Sequence, residues 1–293
     1  MSRLRITHVT EYRYSQPVQL GEHRLLFRPR DSHDLRLVSA TLKVEPQPVL
    51  RWLHDVFQNS VAVATFPGET RKLRIESQVV IDHYGLDSPD FPIEPPAART
   101  PFTYSARELP DLQSDMLRRT DQPDDVVLAW AQGFLGPDGT METVPGLVAM
   151  AAAINRDFTY EWREEEGVRE AAETLELKSG SCRDFALLMM EAARALGMAA
   201  RFVTGYLYDP ALDGGPANGT AGAGATHAWC QIYLPGMGWT EFDPTNGRVA
   251  GTNLVRVGVA RTPEQVKPTE GTFTASGGTT SQMSVDVQVS RIG

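Results

Sequence analysis

The sequence predicts an α+β protein: an antiparallel, sandwich-like β domain, followed by a core in which helices pack on an antiparallel sheet. Three observations carry this prediction. The first ninety or so residues alternate apolar and polar side chains in short runs, helical texture appears only after them, and strands return from Ala200 onward. Between the two textures lies a proline-rich stretch, with Pro89, Pro92, Pro95, Pro96 and Pro101, that cannot sit inside a helix or central strand. The expected divisions are therefore a β domain over 1–88, a connector over 89–110 and a core over 111–293.

The elements follow in order. In the first run Leu4, Ile6, His8, Tyr12 and Tyr14 share one face, and Arg5, Thr7, Glu11 and Arg13 the other. Val38, Ala40, Leu42 and Val44 alternate in the same way, as do Leu73, Ile75, Val79 and Ile81. A turn over 55–60, containing Asn59, separates strands at 50–53 and 61–66. Helices are expected over 124–131, 144–155 and 181–196. Met283, Val285, Val287 and Val289 alternate in a closing strand, and the Gly- and Ala-rich stretch 213–225 reads as a mobile loop that gates the site following it.

Composition narrows the function classes. A content of 41% hydrophobic and 22% charged residues is that of a globular chain with a proper core, and a formal charge of −9 argues against nucleic acid as partner. No apolar run approaches a membrane span and the first fourteen residues lack a signal-peptide pattern, so the expectation is a cytoplasmic protein. Cys182 and Cys230 are the only cysteines, and the six histidines show no ligand spacing. No metal or other cofactor is expected.

The most informative segment runs from Lys178 to Ala186. Ser181 is a good N-cap with Asp184 three residues on, the following run to Leu196 has almost no polar face, and Gly197 is placed to end the helix. Cys182 thus falls in the first turn of a buried helix, where free N–H groups and the helix dipole favour a thiolate and can hold an oxyanion. The alternative is a small buried hydrophobe. Downstream, Pro235-Gly236 separates two apolar-rich runs that read as a β-hairpin. Centred on Pro235 the hairpin sets His227 opposite Asp243. Centred on Gly236 it sets Trp229 opposite Asp243, with His227 diagonal to it. Either register leaves both side chains on one face. Cys230 falls on the apolar face and reads as core.

With these residues in hand, the chain resembles the bacterial transglutaminase-like cysteine peptidases of the papain-like superfamily. The likeness rests on Gly180-Ser181-Cys182-Arg183-Asp184-Phe185-Ala186, Arg201 to Tyr208, His227-Ala228-Trp229, and Gly238-Trp239 through Asp243-Pro244-Thr245-Asn246. The region before the connector also resembles the β-rich N-terminal domain of these proteins. Ser181 stands where relatives often have Val or Thr. The resemblance implies a transglutaminase-like core in which Cys182 is the nucleophile, His227 the base and Asp243 the acid that orients it. Asp184, Trp229 and Trp239 then support the site, and Tyr160 and Trp162 are candidates for a further oxyanion donor. The implied chemistry is acyl transfer through a thioester on a protein or peptide substrate, hydrolytic first, with transglutaminase cross-linking or a non-catalytic peptide-binding scaffold as alternatives. By resemblance alone, peptide-ligating enzymes are implied as functional partners.

Overall fold

The computed structural model describes residues 2–85, 92–119, 125–163, 167–213, 225–249, 251 and 253–293. Five strands form the first part of the chain: β1 (Ser2–Arg28), β2 (Leu35–Glu45), β3 (Val49–His54), β4 (Ser60–Thr65) and β5 (Glu69–His83). They lie in the order β2-β5-β1-β4-β3, and the expected alternation holds in β1, where Leu4, Ile6, His8 and Thr10 are buried.

The stretch after β5 is less of a free connector than its prolines imply. Pro89, with the rest of 86–91, lies outside the described residues. From Pro92 onward, however, the chain docks on the core. Glu94 N donates to Pro235 O at 2.9 Å, and the short strand β6 (Arg99–Thr100) pairs with β7 (Met141–Glu142). Tyr104 bridges further, its hydroxyl donating to Tyr233 O at 2.9 Å and accepting from Ala199 N at 2.8 Å. Helices α1 (Leu109–Leu112), α2 (Val126–Gln132) and α3 (Thr143–Asp157) follow, then β8 (Thr159–Tyr160), α4 (Ala171–Leu177), β9 (Ser179–Gly180) and α5 (Cys182–Ala195).

The core sheet is antiparallel, in the order β13-β12-β11-β10-β14, from β10 (Ala200–Leu207), β11 (Thr226–Leu234), β12 (Gly238–Asp243), β13 (Arg248–Val249) and β14 (Leu254–Ala260). Helix α5 packs on its inner face, where Phe185, Leu188 and Met189 join Phe202, Cys230, Ile232 and Phe242 in one buried cluster. Two of its polar residues are buried as a pair: Arg194 Nη1 donates to Glu191 Oε1 at 2.8 Å, and the same guanidinium caps the carbonyls of Asp115, Ala200 and Arg261.

The last two strands, β15 (Thr269–Thr274) and β16 (Ser281–Arg291), leave the core and return to the first sheet, both antiparallel to β1. The sequence division places them with 111–293, whereas they pair here with β1. The reason lies in β1, which presents a long second edge beside the one taken by β5. An unpaired edge of that length leaves a row of backbone groups open, and β16 closes it from Leu4↔Arg291 to Tyr14↔Ser281. Polar side chains tie the two sheets together. Asn59 bonds both N–H and C=O of Val259 (2.9 and 2.7 Å), His83 Nε2 contacts Leu254 O at 2.9 Å, and His8 Nδ1 contacts the Tyr206 hydroxyl at 3.0 Å.

Candidate active site

Cys182 is the first residue of α5 and only 8% exposed. The turn that presents it is organised by Asp184, fully buried, whose Oδ2 accepts from the Ser181 N–H at 2.8 Å and the Ser181 hydroxyl at 2.9 Å. Its Oδ1 accepts from Arg169 N at 2.8 Å and, at 3.4 Å, from the Arg163 guanidinium. One carboxylate thus fixes the helix start and the chain that packs beside it. Gly180 leaves room for it, since a Cβ there would stand 2.9 Å from Asp184 Cβ. At the far end Gly197, at φ +85°, turns the chain out of the helix.

The hairpin takes the register centred on Gly236. Leu234 pairs with Gly238 and Cys230 with Phe242. Met237 N donates to Leu234 O across Pro235-Gly236, and Gly236 has φ +86°, as the third position of a type II turn requires. His227 therefore lies diagonal to Asp243, and its Nε2 meets Asp243 Oδ2 at 2.9 Å. Asp243 is held in turn by Asn246, whose Nδ2 donates to Oδ2 at 2.8 Å, and by the Thr245 N–H, which donates to Oδ1 at 3.1 Å. Asn246 closes the quoted motif, but no periodicity or spacing singles it out as the carboxylate's second donor. That role appears only when the turn after β12 folds back.

Electrostatics sharpen the arrangement. His227 is 1% exposed, and burial alone would favour the neutral ring. The charge and hydrogen bond of Asp243 outweigh that, together with a contribution from Cys182, and lift the imidazole to about 10. Asp243 is buried too, yet the facing His227 holds its carboxyl below the usual range. Nδ1 of His227, the nitrogen turned from Asp243, is buried with no partner that meets full hydrogen-bond geometry among the described residues. Cys182 is nevertheless near enough to contribute to the ring's shift, and catalytic contacts of this kind often tighten only with substrate bound.

The other candidates separate. Trp229 stacks on His227 with ring centroids 5.9 Å apart and planes at 25°. Gly205, opposite His227, makes this closeness feasible: a Cβ there would stand 2.0 Å from Val255 O and 2.9 Å from the Trp229 ring. Tyr160 is half-buried, and burial together with the nearby Cys182 pushes its phenol to about 12. Trp162 is 66% exposed, an environment unsuited to an oxyanion donor, which works where water is excluded. Trp239 lies toward the turn end of the hairpin, under the Arg201 guanidinium at 3.9 Å and against Tyr233, and so supports the hairpin rather than the acid. Cys230 is fully buried, its sulfur near Phe242 O, and burial raises its thiol. The loop expected to gate the site, 213–225, falls almost wholly outside the described residues. Among the described residues no group of three or more His, Cys, Asp or Glu is placed to hold a metal ion, and no helix is long and apolar enough to cross a membrane.

Comparison with known proteins gives the family and the fold. Residues 4–82 match the bacterial transglutaminase-like N-terminal region, and residues 129–244 match the transglutaminase-like superfamily. An uncharacterized protein of Mycobacterium tuberculosis is 31% identical, covering 97% of this chain and 92% of its own length. One from Mycobacterium leprae is 26% identical over the whole of both chains. Among solved structures, a "Putative Cysteine Protease" from Cytophaga hutchinsonii superposes with a TM-score of 0.75 at 18% identity, covering 100% of this chain and 91% of its own, and so shares the fold. The chain belongs to the transglutaminase-like superfamily, with the bacterial N-terminal region that accompanies it. Membership supports cysteine-type acyl transfer as the general chemistry.

Proposed function

We propose that this protein hydrolyses amide bonds of a peptide or protein substrate through a thioester on Cys182, with His227 as acid–base and Asp243 as its orienting partner. The observation that carries the reading is the oriented imidazole. Asp243 holds Nε2 at 2.9 Å, which leaves Nδ1 buried and unsatisfied on the side where Cys182 acts on the ring.

Held protonated by Asp243, the imidazolium stabilises a thiolate beside it. The sulfur attacks the carbonyl carbon, and the new C–S bond forms as the carbonyl π electrons move to oxygen. The free N–H groups at the start of α5 face the site where that charge develops, with the Tyr160 hydroxyl as a candidate second donor. Collapse of the intermediate expels the amine, which takes its proton from His227, now the neutral base. Water then gives a proton to His227 and its hydroxide adds to the thioester carbonyl. Loss of the sulfur releases the acid and restores the ion pair. Asp243 keeps the ring in one orientation throughout.

The test is incubation with a glutamine-containing peptide, with and without a primary amine. Ammonia release without amine incorporation, abolished in Cys182→Ala, is the expected result. Amine incorporation would redirect the reading to cross-linking, and no turnover of amide or ester substrates would favour a binding role.

A further inference from the structure

Trp162 leaves most of a large apolar ring in water, yet its backbone is fastened from both sides. Glu161 N donates to Gly180 O at 2.8 Å, and Arg183 Nη2 donates to Arg163 O at 3.4 Å. The Arg163 guanidinium also reaches Asp184 at 3.4 Å. The residues before and after Trp162 are thus fastened to residues on either side of Cys182. Strands β8 and β9 run parallel with Tyr160 opposite Gly180, and the Glu161 bond carries that pairing one residue further, so the backbone at Trp162 runs beside the turn that presents Cys182. Tyr160, two residues earlier and so of the same alternation, already senses Cys182. An exposed indole on a backbone fastened beside that turn offers apolar contact area that is still left to cover.

We infer that Trp162 is a specificity-determining residue, forming the wall against which an apolar side chain of the acyl-donor peptide lies next to the scissile amide. The inference rests on the acyl-transfer reading above for the word donor, but the contact itself does not require turnover. The exposed apolar indole favours an aromatic or long aliphatic group, the nearby charges being mixed: Arg163 pairs with Asp184, and Glu161 with Arg169.

The experiment uses two peptides that differ only in the residue on the acyl side of the scissile amide, phenylalanine in one and glycine in the other, with the full-length protein. Wild type is expected to favour the phenylalanine peptide in kcat/KM by roughly tenfold, the scale on which an apolar pocket discriminates a few methylenes. Trp162→Ala should reduce the preference to within about twofold, chiefly through KM, and Trp162→Phe should keep most of it. The same peptides are titrated against Cys182→Ala and Cys182→Ala/Trp162→Ala by fluorescence anisotropy. Binding preference that depends on Trp162 without any wild-type turnover would uphold the wall and overturn the acyl-transfer reading. A preference unchanged by Trp162→Ala, an equal fall in kcat on both peptides, or no preference in wild type and in Cys182→Ala would overturn the wall.

Discussion

Two histidines of this protein are equally buried and behave in opposite ways. His8 and His227 are each 1% exposed on a β-strand, and each ring contacts a neighbouring strand. His8, between the two sheets, packs edge-on against Phe27 and has hydroxyls as its polar partners: Tyr206 at 3.0 Å and Thr10 at 3.1 Å. With no charge to offset it, burial pushes His8 down to about 4. His227 meets a carboxylate and is raised instead, to about 10. Burial therefore makes a histidine structural or chemical according to what shares the pocket. A hydroxyl gives a neutral joint between sheets, and a carboxylate gives a stored proton beside a sulfur.

The contrast can be broken most forcefully at Asp243. In Asp243→Asn the carboxylate charge is lost and the desolvation of the ring remains, so His227 should fall below its ordinary value. Turnover is expected to drop by roughly 10⁴-fold, the scale seen when an orienting acid becomes an amide. The alkaline limb of kcat/KM, set in wild type by loss of the His227 proton, should move down from near 10. A limb that stays in place would separate that limb from His227.

A second break tests whether the buried charge under α5 is a support for the fold, independent of the site. Arg194→Ala strands Glu191 and three capped carbonyls, and should cost about 3–5 kcal/mol in urea denaturation. Arg194→Met, of similar volume, should still lose most of it, because the three carbonyls lose their donor and Glu191 keeps only the Arg119 N–H. A loss below about 1 kcal/mol would mean that the pair is solvated.

The smallest effect sharpens the comparison through pH. His8 refuses a proton that the unfolded chain accepts below 6.5, so its contribution to stability is whole above that pH and declines as pH falls toward 4. His227 has the reverse sign: its contribution is whole below 6.5 and is lost as pH rises through about 10. Thermal melts between pH 6.5 and 5, above the carboxylate range, should fall in wild type and fall less steeply in His8→Gln, where His23, also lowered by burial, keeps part of the slope. Parallel curves would show that the Tyr206 contact tolerates a charged ring.

Local signals made much of the site readable, and long-range pairing hid the rest. Helix α5 announces itself through Ser181, Asp184, the apolar run and Gly197, because each acts within a few residues of its own position. The hairpin was legible to within two residues of register, and Leu234, Pro235 and Gly236 settle it only through the turn they close. The return of β16 to β1 had no local mark. Its alternation declares a strand, but the choice of partner depends on an open edge at the opposite end of the chain. Asn59 likewise reads as a turn residue, while its amide in fact pairs with Val259, 200 positions away. Tyr160 and Trp162 look alike in sequence, and only the fold distinguishes the half-buried phenol from the exposed indole.

The most direct test of the account needs no substrate. In Cys230→Ala, the rate at which iodoacetamide modifies the remaining thiol is followed by intact-mass spectrometry under native conditions, with and without His227→Ala. The account predicts rapid labelling of Cys182 at pH 6 to 7, slowed at least tenfold when the imidazole is removed. Labelling that appears only on unfolding, or that is indifferent to His227, would contradict it.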